Sequence, residues 1–202
     1  DEPASFQNIG YFDIEIEMGG ALTEEYIRSA PAKLTAIAVY DYTNKQRYCW
    51  ILDDSKKLEQ ISKENTIIIP CKTEKQIFEL FLTQWEELNF TIVSGWNSVF
   101  FDVPYLFYRI KSVLSYEDAL RLSPIRKIDV HPVTNNTIIG GINHLDYMLL
   151  FKKFITKQED SYKLGDIGEK YVNLGKIKYE GNLDKLFNDD INFILSEDHS
   201  VG

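Results

Sequence analysis

The chain has 202 residues and carries 22 Lys and Arg against 31 Asp and Glu, a formal charge of −9 at neutral pH. That balance excludes a basic nucleic-acid-binding arm, while 44% hydrophobic and 13% aromatic residues exclude disorder over most of the length. The longest apolar runs fall far short of the ~20 residues a membrane span requires, so a soluble protein is expected.

Alternating apolar residues predict three successive strands, Ile9 to Ile16, Leu34 to Asp41 and Gln46 to Asp53. The turn-like Tyr42-Thr43-Asn44-Lys45 joins the last two, which makes an antiparallel meander the natural outcome. Thr66 to Ile69 is a short β-branched run closed by Pro70. Beyond it, Ile77, Phe78, Phe81, Leu82, Trp85 and Leu88 recur at helical spacing, and Thr73 with Gln76 supplies a capping-box start. Thr91 to Ser94 reads as a strand stopped by Gly95, and Val103 to Val113 as a helix with Pro104 in its first turn. Lys127 to Val133 and Thr137 to Ile142, around Asn135-Asn136, predict a projecting hairpin. The remainder from His144 is predicted to be mostly helical, with Leu145, Met148, Leu149 and Phe151 to Phe154 on one face and Leu164, Ile167 and Tyr171 on another. A meander followed by strand, helix, strand, helix indicates an α/β fold, a mixed sheet covered by helices, in one domain over residues 1–202. Cys49 and Cys71 lack metal-ligand spacing and read as reduced core thiols, with a disulfide as the alternative.

In Phe12-Asp13-Ile14-Glu15-Ile16 the two-residue strand period sets Asp13 and Glu15 on the same face. One reading is simply a solvent-facing side. The other follows if the strand is central, where neighbouring carboxylates repel unless a divalent cation sits between them. Asp102 follows Gly95-Trp96-Asn97 and Phe100-Phe101 at the start of a helix. It reads either as an N-cap ahead of Pro104 or as a third metal-proximal carboxylate, with Asn97 and Phe101 free to hold and stack on a ligand. With a charge of −9, any nucleic-acid role has to rely on bound cations or on a small local basic surface.

Asp13-Ile14-Glu15 followed by Asn97-x-x-x-Phe101-Asp102 resembles the first two proofreading motifs of family B DNA polymerases, in the wording of the T-even bacteriophage type. Arg121-Leu122-Ser123-Pro124 with Arg126-Lys127, Leu145-Asp146-Tyr147 with Lys152-Lys153-Phe154, Ser161-Tyr162-x-Leu164 and Gly175-Lys176-x-Lys178-Tyr179-x-Gly181 follow in the family's order. The resemblance implies a ribonuclease-H-like 3′ to 5′ exonuclease domain that trims the 3′ end of a mispaired primer strand with two Mg²⁺ or Mn²⁺ ions. It implies that Asp13, Glu15 and Asp102 bind metal, that Asn97 and Phe101 hold the frayed single strand, that Lys176 assists near the reacting phosphate, and that the hairpin helps separate primer from template. It further implies action on primer-template DNA in the host-cell cytoplasm, beside the remaining domains of a larger polymerase of which this chain is a fragment.

The family's third motif, Tyr-x-x-x-Asp on a helix, is where the sequence departs from the pattern. Tyr162 with Asp166 has that spacing but precedes Gly175-Lys176, out of order. At the expected place Asp198 is the best-positioned carboxylate, the fourth metal ligand on this reading, and Ile194 stands where the phenol belongs. Isoleucine cannot orient a water. His199 lies too close to Asp198 to substitute for the phenol. The alternative reading is therefore a catalytically weak DNA-binding or strand-partitioning module with an incomplete metal site. A purely structural domain is the third, and leaves the ordered resemblance unexplained.

Overall fold

Alternation over residues 9–16 yields the first strand, β1 (Ile9–Ile16), with Phe12 and Ile14 buried and Tyr11, Asp13 and Glu15 exposed. The computed structural model describes residues 7–17, 21–134 and 136–174. Its backbone falls into two units, Asp1–Gln158 and Glu159–Gly202.

In the first unit a short helix, α1 (Glu24–Ser29), leads to β2 (Leu34–Asp41) and β3 (Gln46–Leu52), and β1, β2 and β3 form the predicted antiparallel meander. β4 (Ile61–Lys63) pairs with β5 (Thr66–Cys71), which runs parallel to β3. β5 continues through Pro70 rather than closing there. β4 covers it only at Thr66 to Ile68, so Pro70 lies on an open edge that tolerates a residue without an N–H. In α2 (Glu74–Leu88), Thr73 Oγ1 accepts from Gln76 N at 3.2 Å, and Gln76 Oε1 reaches back to Lys72 N at 2.8 Å. The capping box thus closes one residue earlier than its standard form.

β6 (Ile92–Gly95) lies parallel to β1, and α3 (Asp102–Val113) and α4 (Tyr116–Ala119) follow. The hairpin is a separate two-stranded sheet of β7 (Ile128–Val130) and β8 (Thr137–Ile139), shorter than the spacing predicts. The helix predicted from His144 begins later. Asn143–Asp146 forms β9, parallel to β6, and α5 spans Tyr147–Phe154, so Leu145 belongs to the sheet. Among the described residues the main sheet has seven strands in the order β4-β5-β3-β2-β1-β6-β9, which makes β1 interior. Phe12, Ile14, Ile37, Val39 and Trp50 from the sheet pack with Phe78, Phe81, Trp85, Leu106 and Ile110 from α2 and α3. Cys49 and Cys71 are free thiols, and burial pushes both up to about 11. This is a mixed α/β fold with a ribonuclease-H-like arrangement.

The second unit contains α6 (Leu164–Val172), with Ile167 buried and Leu164 and Tyr171 exposed. Tyr162 and Asp166 lie in this unit, where Asp166 accepts from Ser161 and Tyr162 Oη accepts from Glu159 N at 3.2 Å. No helix among the described residues is long and apolar enough to cross a membrane.

Candidate active site

Strand register brings the sequence-distant carboxylates together. β6 pairs with β1 only through Tyr11, opposite Ser94, and then ends at Gly95. Past that point the edge of β1 is open, and the start of α3 fills it. Asp102 Oδ1 accepts from Ile14 N at 3.2 Å across this gap. Of the two readings of Asp102, the N-cap one does not hold. Phe101 is the N-cap residue and makes no side-chain capping bond, while the Asp102 side chain, 3% exposed, is committed to β1. Gly95 permits the approach, since a Cβ there would lie 2.8 Å from both Phe12 O and Ser98 Cβ.

Asp13 and Asp102 share a hydrogen bond. Two carboxyl groups bond to each other only when one keeps its proton. Burial, then the Asp13 charge, then this bond push the Asp102 carboxyl up to about 8. Glu15 is exposed on the same face of β1 as Asp13, opposite Ala36, beside a register shift between Glu15 and Ile16. Among the described residues no group of three His, Cys, Asp or Glu side chains is placed to hold a metal ion. Asp13 and Asp102 are a pair that suits one hard divalent cation, which oxygen ligands bind. Lys176 and Asp198 lie outside the described residues.

Asn97 and Phe101 flank the same turn. Asn97 takes φ +63, a left-handed conformation that asparagine accepts better than most residues, and its carbonyl receives Phe100 N and Phe101 N. The half-buried Phe101 ring tilts against Tyr105 at 5.7 Å, so part of its surface is already used in packing. Trp96 meets Tyr147 and Phe151 of α5 rather than entering the core.

Two further residues hold this turn, Asp146, which the sequence shows only as part of the Leu145-Asp146-Tyr147 segment, and His144, to which the sequence assigns no role. Asp146, 3% exposed, accepts from Val99 N at 3.0 Å through Oδ2 and caps α5 by accepting from Leu149 N at 3.1 Å through Oδ1. An Asp just ahead of Tyr147-Met148-Leu149-Leu150 is an N-cap signal that would have found it. His144 Nε2 lies 2.8 Å from Ser98 Oγ, and its buried Nδ1 has no partner. No sequence signal marks His144, because its environment is assembled from distant segments, with Ser98 of the turn at its Nε2 and the Phe12 ring of β1 at 6.1 Å.

Burial pushes the His144 imidazole down to about 4 from 6.5, with the Asp146 charge opposing it. The unfolded chain therefore takes up a proton below pH 6.5 that the folded chain refuses until about pH 4. Stability from this group is full above pH 6.5 and is lost as pH falls through that window. His144→Leu is expected to flatten the acid side of the stability profile, removing up to about 3 kcal/mol of pH dependence in urea titrations at pH 7 and pH 4. An unchanged acid slope in the variant would contradict it.

A separate cleft of about 270 Å³ is lined by Trp85, Glu86, Asn89, Phe90, Arg121 and Arg126, among others. Both arginines are spent on Glu86, at 2.7 and 2.5 Å. Asn89 and Phe90 precede β6, at the opposite end of that strand from Gly95 and the carboxylates, so this cleft is not the site.

Comparison with known families places the chain: the model of the DNA polymerase family B exonuclease domain matches residues 6–167. The chain belongs to this family. The match includes β1, the Asn97 to Asp102 turn and Asp146, and ends before Lys176 and Asp198. The DNA-directed DNA polymerase of Escherichia phage RB69 is 30% identical over 205 residues, covering 88% of this chain and 22% of that protein. The DNA-directed DNA polymerase of Enterobacteria phage T4 is 30% identical over 129 residues, 61% of this chain and 14% of its own length. The family B exonuclease-type chain thus spans about a fifth or less of these relatives, and it is related to the polymerases of T-even phages.

Proposed function

We propose that this chain binds the 3′ end of single-stranded DNA as the exonuclease-type domain, residues 1–202, of a DNA-directed DNA polymerase, and that it cleaves that end weakly because its metal site is incomplete. The observation that carries this reading is the pairing of the exposed Asp13 with the buried Asp102, at the end of the Asn97 to Phe101 turn. Two carboxylates in contact provide one good cation position, whereas a two-metal site needs further oxygen ligands. Ile194, in place of the water-orienting phenol, argues the same way. Asn97 offers an amide to the strand backbone, and Phe101 offers the part of its ring not packed on Tyr105 to the terminal base.

The same pair also favours a second reading, full two-metal hydrolysis of the 3′-terminal phosphodiester. A carboxyl that keeps its proton because another carboxylate lies against it gives that proton up to a divalent ion, whose charge compensates both. Asp13, Glu15 and Asp102 would hold Mg²⁺ or Mn²⁺, with Asp198 as the fourth carboxylate and Lys176 facing the phosphate. An ion bound there supplies an activated water and charge to stabilise the leaving 3′ oxygen. The primer-template junction, the other polymerase domains and a site of action in the host cytoplasm belong to the same proposal.

A 5′-labelled single-stranded oligonucleotide distinguishes the two. The expected result is retention of the strand in EDTA and only slow shortening from the 3′ end when Mn²⁺ is added. Rapid conversion to a 3′ ladder would replace the first reading by the second, and absence of both binding and cleavage would overturn both.

A further inference from the structure

On the face of the sheet that carries Asp13 and Glu15, the adjoining positions toward the start of β1 are aromatic. Tyr11 of β1 is opposite Tyr40 of β2, and Tyr40 is opposite Arg47 of β3. The Tyr11 and Tyr40 rings stack with centroids 6.3 Å apart, and Tyr42, in the β2–β3 turn, sets its ring nearly perpendicular to both at 6.1 and 6.2 Å. Lys45 Nζ stands 3.4 Å over the Tyr42 ring, and the Arg47 guanidinium carbon 5.0 Å over Tyr40. Tyr11 is 41% and Tyr42 45% exposed. Tyr40 between them is half-buried, and the next row along the sheet is Asp13, Ala38 and Cys49, with side chains smaller than the rings.

A cross-strand tyrosine pair by itself stabilises a sheet. Here three rings and two cations are gathered instead on a protein of charge −9, which makes this the small local basic surface that a phosphate backbone requires. Base-stacking rings interleaved with cations are the chemistry of single-strand binding, in which any base offers a π-face and each cation meets a phosphate. Tyr11 is two residues from Asp13 on the same face, about 7 Å along the strand.

We propose that Tyr11, Tyr40 and Tyr42, with Lys45 and Arg47, form a stacking platform for bases of a single DNA strand whose end lies at Asp13 and Asp102. The proposal rests on the strand-binding reading above and extends it to a second contact region. The platform is indifferent to base identity, because stacking needs only a flat ring, and the two cations set its salt dependence.

The test is anisotropy of a fluorescein-labelled oligothymidylate with the full chain in EDTA, so that binding is read without cleavage. The double substitution Tyr11→Ala, Tyr42→Ala is expected to raise Kd at least about tenfold, the loss of one stacked base. Tyr11→Phe with Tyr42→Phe is expected to bind as the parent does, since the rings remain. Lys45→Glu with Arg47→Glu is expected to weaken binding and to lower the slope of log Kd against log salt by about 1 to 2. This charge pair carries the test even if the alanine variant fails to fold, as judged by circular dichroism. Parental affinity in a folded alanine variant, or a parental affinity and salt slope in the charge variant, would overturn the platform while leaving the strand-binding reading in place. No binding by the parent chain would overturn both.

Discussion

Asp13→Asn is expected to stabilise the metal-free protein at pH 8 and to remove whatever Mn²⁺-dependent cleavage the parent shows. The folded chain keeps the Asp102 proton up to about pH 8, while the unfolded chain releases it near 3.8. Between those values the folded state binds the extra proton, so stability is full below about pH 4 and falls as pH rises toward 8. His144 contributes its own pH dependence only below 6.5, which leaves the window from 6.5 to 8 to the carboxyl pair. Asparagine removes the Asp13 charge and donates an amide N–H to Asp102, while the burial cost remains. A gain of about 1–2 kcal/mol at pH 8 in EDTA follows, measured by urea unfolding. Cleavage should drop by at least about a hundredfold, more than loss of an outer-shell partner typically costs a metal site. A variant no more stable than the parent at pH 8 would show that the two carboxyls do not share a proton.

Arg109→Leu is expected to cost about 3–5 kcal/mol, the penalty for leaving a buried charge without its partner. Arg109 Nε and Nη2 meet Glu74 Oε1 and Oε2, both at 2.7 Å, with side chains 13% and 10% exposed. Glu74 Oε1 also accepts Leu34 N at 2.7 Å, and Arg109 Nη1 donates to Ala30 O at 3.0 Å. One ion pair thus joins the first turn of α2, the middle of α3 and the approach to β2. Since α3 carries Asp102 against β1, loosening it should also weaken the carboxylate pair. The double variant Arg109→Leu, Glu74→Gln should recover part of the loss, because no unpaired charge remains. A single-variant loss below about 1 kcal/mol in urea unfolding would show that the pair is solvated and its partners replaceable.

Elements whose pattern is local were readable from the residues alone. β1 and β2 stand where the two-residue alternation sets them, and the meander follows from the short turn at Tyr42 to Lys45. Thr73 and Gln76 mark the start of α2 because capping is a contact among near neighbours. The motifs Asp13-Ile14-Glu15 and Asn97 to Asp102 were legible for a similar reason, since each lies within one element or turn, and they led to the right family. β9 was not legible. Asn143 and His144 carry no strand-like alternation, and their extended state comes from pairing with β6, a partner some fifty residues earlier. Asp102 shows the same limit at the site. Its sequence neighbours allow an N-cap as well as a metal-proximal carboxylate, and the choice falls to the end of β6, which opens the edge of β1 so that the Ile14 N–H takes the carboxylate. Only the tertiary structure decides such choices, because a backbone group losing its strand partner, or a carboxylate meeting another, is a matter of which distant segments are neighbours. The burial that pushes Asp102 up and His144 down is likewise set by those neighbours, not by either residue's place in the sequence.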